Sequence, residues 1–139
     1  MRITTRGRYS LRASLALARL HHLNAPISIN KLSTEEQISP IFLEQIFFKL
    51  RKAGIVNSVR GAAGGFQFAR SLEKITVKEI LEAAGEELDV TECDKNAKIC
   101  GVTGTKCSCH TVWEDVTRIL HDYLSNTTLN MILTKKPAK

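Results

Sequence analysis

Between Cys93 and Trp113 the chain reads C-D-K-N-A-K-I-C-G-V-T-G-T-K-C-S-C-H-T-V-W. This stretch holds all four cysteines, spaced C-x6-C-x6-C-x-C-H. Thiols and imidazoles bind soft and borderline metals, and thiols also undergo redox exchange. The stretch is too poor in apolar residues to pack a core unaided, and convergence of its thiolates and imidazole on one metal centre would supply the ordering energy that burial cannot. No apolar run reaches membrane-spanning length, and the start M-R-I-T-T-R-G-R lacks the apolar centre of a secretory signal. A cytoplasmic location is therefore expected, where clustered cysteines serve as ligands or redox thiols rather than as a disulfide framework.

The 139 residues suffice for one domain with a core of its own, and 43% hydrophobic with 24% charged residues is ordinary for a globular chain. The charge is unevenly placed. Residues 1–70 carry 11 lysines and arginines against 3 acids, whereas the remainder carries 9 against 11. The N-terminal half is the part suited to a polyanion.

From Tyr9 to Leu23 the residues Ala13, Ala16, Leu17 and Leu20 recur at helical spacing, and Asn24-Ala25-Pro26 ends the run. Ahead of this helix stand Arg2, Thr4, Arg6 and Arg8, where guanidinium groups and free helix amides together suit phosphate. His21 and His22, at its end and remote from any thiol in sequence, are expected at the surface. A short second helix is expected after Ser28, turning Ile29 and Leu32 inward and ending near Gln37. Ser39-Pro40 announces a third, because serine caps a helix and proline is preorganised for its first position. Its buried stripe is Leu43, Ile46, Phe47 and Leu50, and Gly54 closes it, leaving Ile41, Glu44, Gln45, Phe48, Lys49 and Lys52 on the opposite face.

In outline this is a helix-turn-helix, whose second helix would present its first residues to base edges in a major groove. Gln45 can pair with adenine, Glu44 can accept from the cytosine amino group, and Ile41 can touch a thymine methyl. An ordinary helix hairpin gives the same pattern. The next residues favour the DNA reading: Ile55 to Arg60 reads as a strand, Gly61-Ala62-Ala63-Gly64-Gly65 as a tight turn, and Phe66 to Ala69 as a returning strand. A helix-turn-helix followed by a glycine-tipped hairpin is a winged helix, with Arg60 at the wing's shoulder, where it can enter a minor groove. The turn does not suit nucleotide phosphate, since no Lys-Ser/Thr pair follows and no helix opens directly behind it.

Further on, Thr76 to Glu79 is a capping box for a short helix burying Val77, Ile80, Leu81 and Ala84 and ending at Gly85. The carboxylates of the linker Glu86 to Asp94 are expected to be solvated. A second capping box, Thr111 to Glu114, is expected to open a long helix. Its stripe of Val112, Val116, Ile119, Leu120, Tyr123 and Leu124 is broader than one small winged helix can cover. That surplus predicts a homodimer, docking on the same domain being the alternative. Asn126-Thr127-Thr128 breaks this helix before a closing segment with Leu129, Met131 and Ile132. The expected fold is mainly α with a small β-hairpin: a winged helix-turn-helix over 1–85, a cysteine loop over 86–110, a dimerisation helix and closing segment over 111–134, and a disordered tail over 135–139.

Four blocks, M-R-I-T-T-R-G-R-Y, I-S-P-I-F-L-E-Q-I-F-F-K-L-R-K-A-G-I-V, S-V-R-G-A-A-G-G-F and C-S-C-H-T-V-W-E-D, occur in this order. Together they resemble the IscR-type family of iron-sulfur winged-helix transcription regulators over nearly the whole chain. The resemblance implies homodimers on palindromic double-stranded DNA and a 2Fe-2S cluster held in the loop before the long helix. It places the cluster ligands on Cys93, Cys100, Cys107 and His110. It places phosphate contacts on Thr4, Arg6 and Tyr9, recognition-helix contacts on Ser39, Glu44 and Gln45, and wing contacts on Arg60 with Gly64 and Gly65. The chain departs from the family pattern where each cysteine gap is one residue longer, where Ile41 replaces a polar residue, and where Cys109 adds a thiol. Cys109 is thus an alternative fourth ligand, and a 4Fe-4S cluster an alternative nuclearity. Nitric-oxide sensors that resemble this chain take an acidic ligand from the partner's first helix, where Arg8 stands here and cannot coordinate iron.

A Cys3His zinc site would favour closer C-x2-4-C pairs than these x6 gaps, which suit a looser loop around a larger cluster. A thiol switch among Cys107, Cys109 and another cysteine needs no metal. A small iron-sulfur electron carrier would also need the loop but gives no reason for the wing or the basic half. No nucleophile, base and acid form a recognisable catalytic set, so an enzyme is not expected.

Overall fold

The computed structural model describes residues 1–21, 25–93, 99–105 and 107–135. The expectations at His22, Leu23, Asn24 and Asp94, and for the tail beyond Lys135, fall outside them.

Helix α1 spans Thr5–Leu20, so it starts earlier than the apolar spacing suggests. The cause is local: the Thr4 hydroxyl accepts from the Gly7 amide at 3.2 Å, and Arg6 and Arg8 therefore lie within the first turns rather than ahead of the helix. The expected face forms, with Ala13, Ala16 and Leu17 buried and Leu20 partly so. Helix α2, Ile29–Glu36, is capped by Ser28 and ends at Gln37, whose φ of 55° turns the chain sharply toward the next helix. Helix α3, Pro40–Lys52, starts at Ser39, whose hydroxyl accepts from the Phe42 amide, and is followed by Gly54 at φ 74°. Leu43, Ile46, Phe47 and Leu50 are each at most 1% exposed. Burying such side chains stabilises the fold by about 1.5–3 kcal/mol apiece before entropy is counted.

Strands β1, Val56–Val59, and β2, Gly65–Phe68, pair antiparallel, with Val56 opposite Phe68 and Val59 opposite Gly65. The returning strand is held from its other edge too, by reciprocal 2.9 Å hydrogen bonds between the backbones of Ile27 and Phe66. Phe66 stacks on Phe47 of α3 at 4.8 Å, which fixes the wing relative to the helix-turn-helix.

Past a 3-10 turn at Leu72–Lys74, helix α4 spans Val77–Ala83 with its capping box formed as expected. Helix α5 is His110–Asn126 and helix α6 Leu129–Thr134. The second capping box does not form. The Cys107 and Cys109 carbonyls already accept from the His110, Val112 and Trp113 amides, so the helix begins at His110 and Thr111 lies inside it. The chain then folds back: the Leu129 amide reaches the Ile75 carbonyl, the Val77 amide reaches that of Thr127, and Leu129 is fully buried in the main core. On α5 the buried residue is Thr117, while Val112, Val116, Ile119 and Tyr123 are exposed.

The linker departs from expectation at its first residue. Glu86 is only 9% exposed, because the Thr4 amide and hydroxyl both donate to its carboxylate and so compensate its burial.

Candidate nucleic-acid interface and cysteine loop

Arg6 of α1 and Ile41, Glu44, Gln45, Phe48 and Lys49 of α3 line one concave surface. The fold thus brings residues far apart in sequence to the exposed side of the third helix. Ile41 is 72% exposed at the start of α3, an apolar side chain facing solvent among polar ones. Ser39 is exposed, but its hydroxyl is committed to capping α3. Arg60 is exposed at the end of β1, on the wing.

Other expected contacts carry structural duties. Tyr9 is half-buried, edge-on to Phe42 at 5.8 Å, with the Arg12 guanidinium 5.0 Å above its ring. Arg12 in turn donates to the Glu36 carboxylate at 3.2 Å and to its carbonyl at 2.6 Å. The Thr4 hydroxyl is engaged by Gly7 and Glu86. A side chain at Gly64 would strike the Val59 carbonyl, and one at Gly65 that of Ile27, so both glycines allow close backbone approach within the wing.

Arg51 escaped the sequence reading. Its guanidinium lies 5.7 Å from the Phe48 ring and donates to the Ser58 hydroxyl at 3.2 Å, tying the end of α3 to β1. Its position three residues after Phe48 is the signal that could have found it. Glu86 escaped as well, although Gly7 inside a helix was a sign that something approaches closely there.

Part of the cysteine region lies along α5. Cys93 and His110 line a single cavity along α5, together with Thr91, Trp113, Thr117 and His121. Cys100 and Cys107, both half-buried, do not line that cavity. The Cys100 amide donates to the Thr105 carbonyl and the Gly104 amide to the Cys100 carbonyl, both at 2.8 Å, closing a tight turn. Hydrogen bonds from the Thr103 backbone, then the Thr103 side chain and the Val102 backbone, hold the Cys100 thiol below the usual thiol range, against a small opposing effect of burial. Cys109 is exposed, and all four cysteines are free. Among the described residues no three histidine, cysteine or acidic side chains converge as a metal site. No described helix is long and apolar enough to cross a membrane.

The chain matches the family described as "Rrf2: Iron-dependent Transcriptional regulator" over residues 3–135. It is 38% identical over 134 residues to the HTH-type transcriptional regulator IscR of Vibrio parahaemolyticus, covering 96% of this chain and 78% of the relative. Its fold superposes on the solved structure of T. potens IscR with a TM-score of 0.74 at 31% identity, over 96% of this chain and 86% of the other. It superposes on CymR, the global cysteine regulator of B. subtilis, with a TM-score of 0.76 at 26% identity and 95% coverage of both chains. A winged helix-turn-helix with a basic N-terminal half, matched over residues 3–135 by a family of transcriptional regulators, makes this chain a member of the Rrf2 family and a transcription regulator of the IscR type.

Proposed function

We propose that the protein is a homodimeric regulator of palindromic operators whose promoter affinity is set by an iron-sulfur cluster, 2Fe-2S in the favoured form, reporting cluster, iron or redox status. The concave surface shared by Arg6 with Ile41, Glu44 and Gln45 carries the DNA half of this reading. It joins a phosphate-binding cation to side chains that can read adenine, cytosine and thymine edges. The exposed stripe of Val112, Val116, Ile119 and Tyr123 supports pairing through α5. Such pairing would set two recognition helices about 34 Å apart, one turn of duplex.

For the cluster, the donor set fits: three thiols and an imidazole suit iron and sulfide, with Cys93 and His110 on one cavity and the Cys100 thiol held below its usual range. Cys93, Cys100, Cys107 and His110 would hold it, with exposed Cys109 the alternative to His110 and 4Fe-4S the alternative nuclearity. When bound, the cluster supplies a redox-active centre whose occupancy depends on iron and sulfide supply. The chain's own part is to hold the donors and to join them, through the segment beginning at Glu86 and through α5, to the DNA-facing helices.

A second reading is favoured by the depressed Cys100 thiol: a thiol switch among Cys107, Cys109 and Cys100, in which hydrogen peroxide takes two electrons and two protons from a pair of these thiols, leaving a disulfide and two waters. Binding to mixed genomic fragments at two salt concentrations tests the regulator reading. Saturable binding that weakens with salt is expected, and no binding at low salt overturns it.

A further inference from the structure

We propose that the strap from Glu86 to Cys93 couples the cysteine loop to the phosphate-facing turn of α1, with Glu86 as its latch. The proposal rests on the regulatory reading above and deepens it.

At its first residue the strap is fastened to α1. The Glu86 carboxylate accepts from the Thr4 amide at 3.2 and 3.3 Å and from the Thr4 hydroxyl, which itself accepts from the Gly7 amide at 3.2 Å. The carboxylate also occupies the volume that a side chain on residue 7 would need: a Cβ there would lie 2.5 Å from Glu86 Oε1. Glycine weakens a helix, and its presence in the first turn of α1 is explained by this fit. Arg6, two residues beyond Thr4, lines the surface shared with Ile41, Glu44 and Gln45.

Further along, the strap is fastened to α5. The Val90 amide donates to the Thr117 hydroxyl at 3.3 Å, and Asp89 faces His121 at 3.4 Å. The N-terminal amino group of Met1 reaches the Val90 carbonyl at 3.5 Å. Between the two attachments Leu88 is buried against Val77 and Leu81, with Ile3, Leu124 and Ile132 around it, and serves as a pivot. Cys93 follows Val90 by three residues, at most about 10 Å of extended chain. A rearrangement that draws Cys93 away therefore loads the Val90 and Asp89 contacts on one side of Leu88 and the Glu86 latch on the other.

All four cysteines lie between residues 93 and 109, so an alkylating agent alters the loop selectively. Hydrogen exchange over residues 4–8 is measured on the full, anaerobically purified chain in the presence of chelator, before and after iodoacetamide treatment. In the wild type, alkylation is expected to speed exchange there at least threefold. Glu86→Gln keeps the shape but changes the latch, and is expected to show the faster exchange before alkylation and no further rise after it. Unchanged exchange in the alkylated wild type overturns the proposal, as does a further equal rise in the variant. If Glu86→Gln fails to fold, the wild-type comparison still decides. The readout needs no DNA: coupled exchange in a protein that binds none sinks the regulator reading and spares the latch, and uncoupled exchange in a DNA binder does the reverse.

Discussion

Tyr9 sets its ring edge-on against Phe42 at 5.8 Å with the planes inclined at 70°, so that α1 is braced directly on the first turn of α3. The same residue is expected from the family resemblance to touch phosphate, and two substitutions separate these duties. Tyr9→Ala removes the brace and should lower unfolding stability by about 1–3 kcal/mol. Tyr9→Phe keeps the ring and should hold stability within about 0.5 kcal/mol while weakening DNA binding. Urea unfolding and fluorescence anisotropy on the same samples check both. Equal DNA affinity of Tyr9→Phe and wild type would leave Tyr9 a purely structural residue.

Arg6 and Gln45 share a surface but should fail differently. Arg6→Ala should weaken binding to every duplex and reduce the slope of log affinity against log salt by about one. Gln45→Ala should lose about 1–3 kcal/mol on a duplex selected by the wild type from a random library, and little on unselected duplexes. Uniform weakening by Gln45→Ala would remove it from base recognition.

The capping box of α4 makes stability depend on pH. Burial alone would raise the Glu79 carboxyl, but hydrogen bonds from the Thr76 amide and from Arg70, helped by the charge of Arg70, outweigh burial and hold it below its usual value of 4.5. A carboxyl depressed in the folded state stabilises the fold above its unfolded pKa, and that contribution is lost as pH falls through the folded value. Glu79→Gln should therefore have a lower urea midpoint than wild type at neutral pH, and the gap should close in strong acid. A gap that persists undiminished there would contradict the assignment.

The helices of the winged-helix part were legible because their signals are local. Ser28, Ser39-Pro40 and Thr76 to Glu79 form the expected caps, and Leu43, Ile46, Phe47 and Leu50 bury as their spacing requires. The departures arise where a distant group supplies the missing partner. Nothing near Glu86 in sequence shows that Thr4, 82 residues away, will neutralise its burial. Nothing in Thr111 to Glu114 shows that cysteine carbonyls will wind the helix sooner. At the site, the exposed face of α3 with Ile41, Glu44 and Gln45 was readable from helical periodicity. The arrangement of the cysteines was not, since a loop without apolar periodicity leaves their relative placement unspecified, and the structure sets Cys93 on the cavity of His110.

Iron and acid-labile sulfide content, read together with the visible spectrum of anaerobically purified wild-type protein and of Cys100→Ala, tests the proposed cluster most directly. The wild type should be brown, with iron and sulfide in equal amounts, and Cys100→Ala should be colourless and lack both. A wild type without iron and sulfide, or a Cys100→Ala variant that retains both in full, would contradict it.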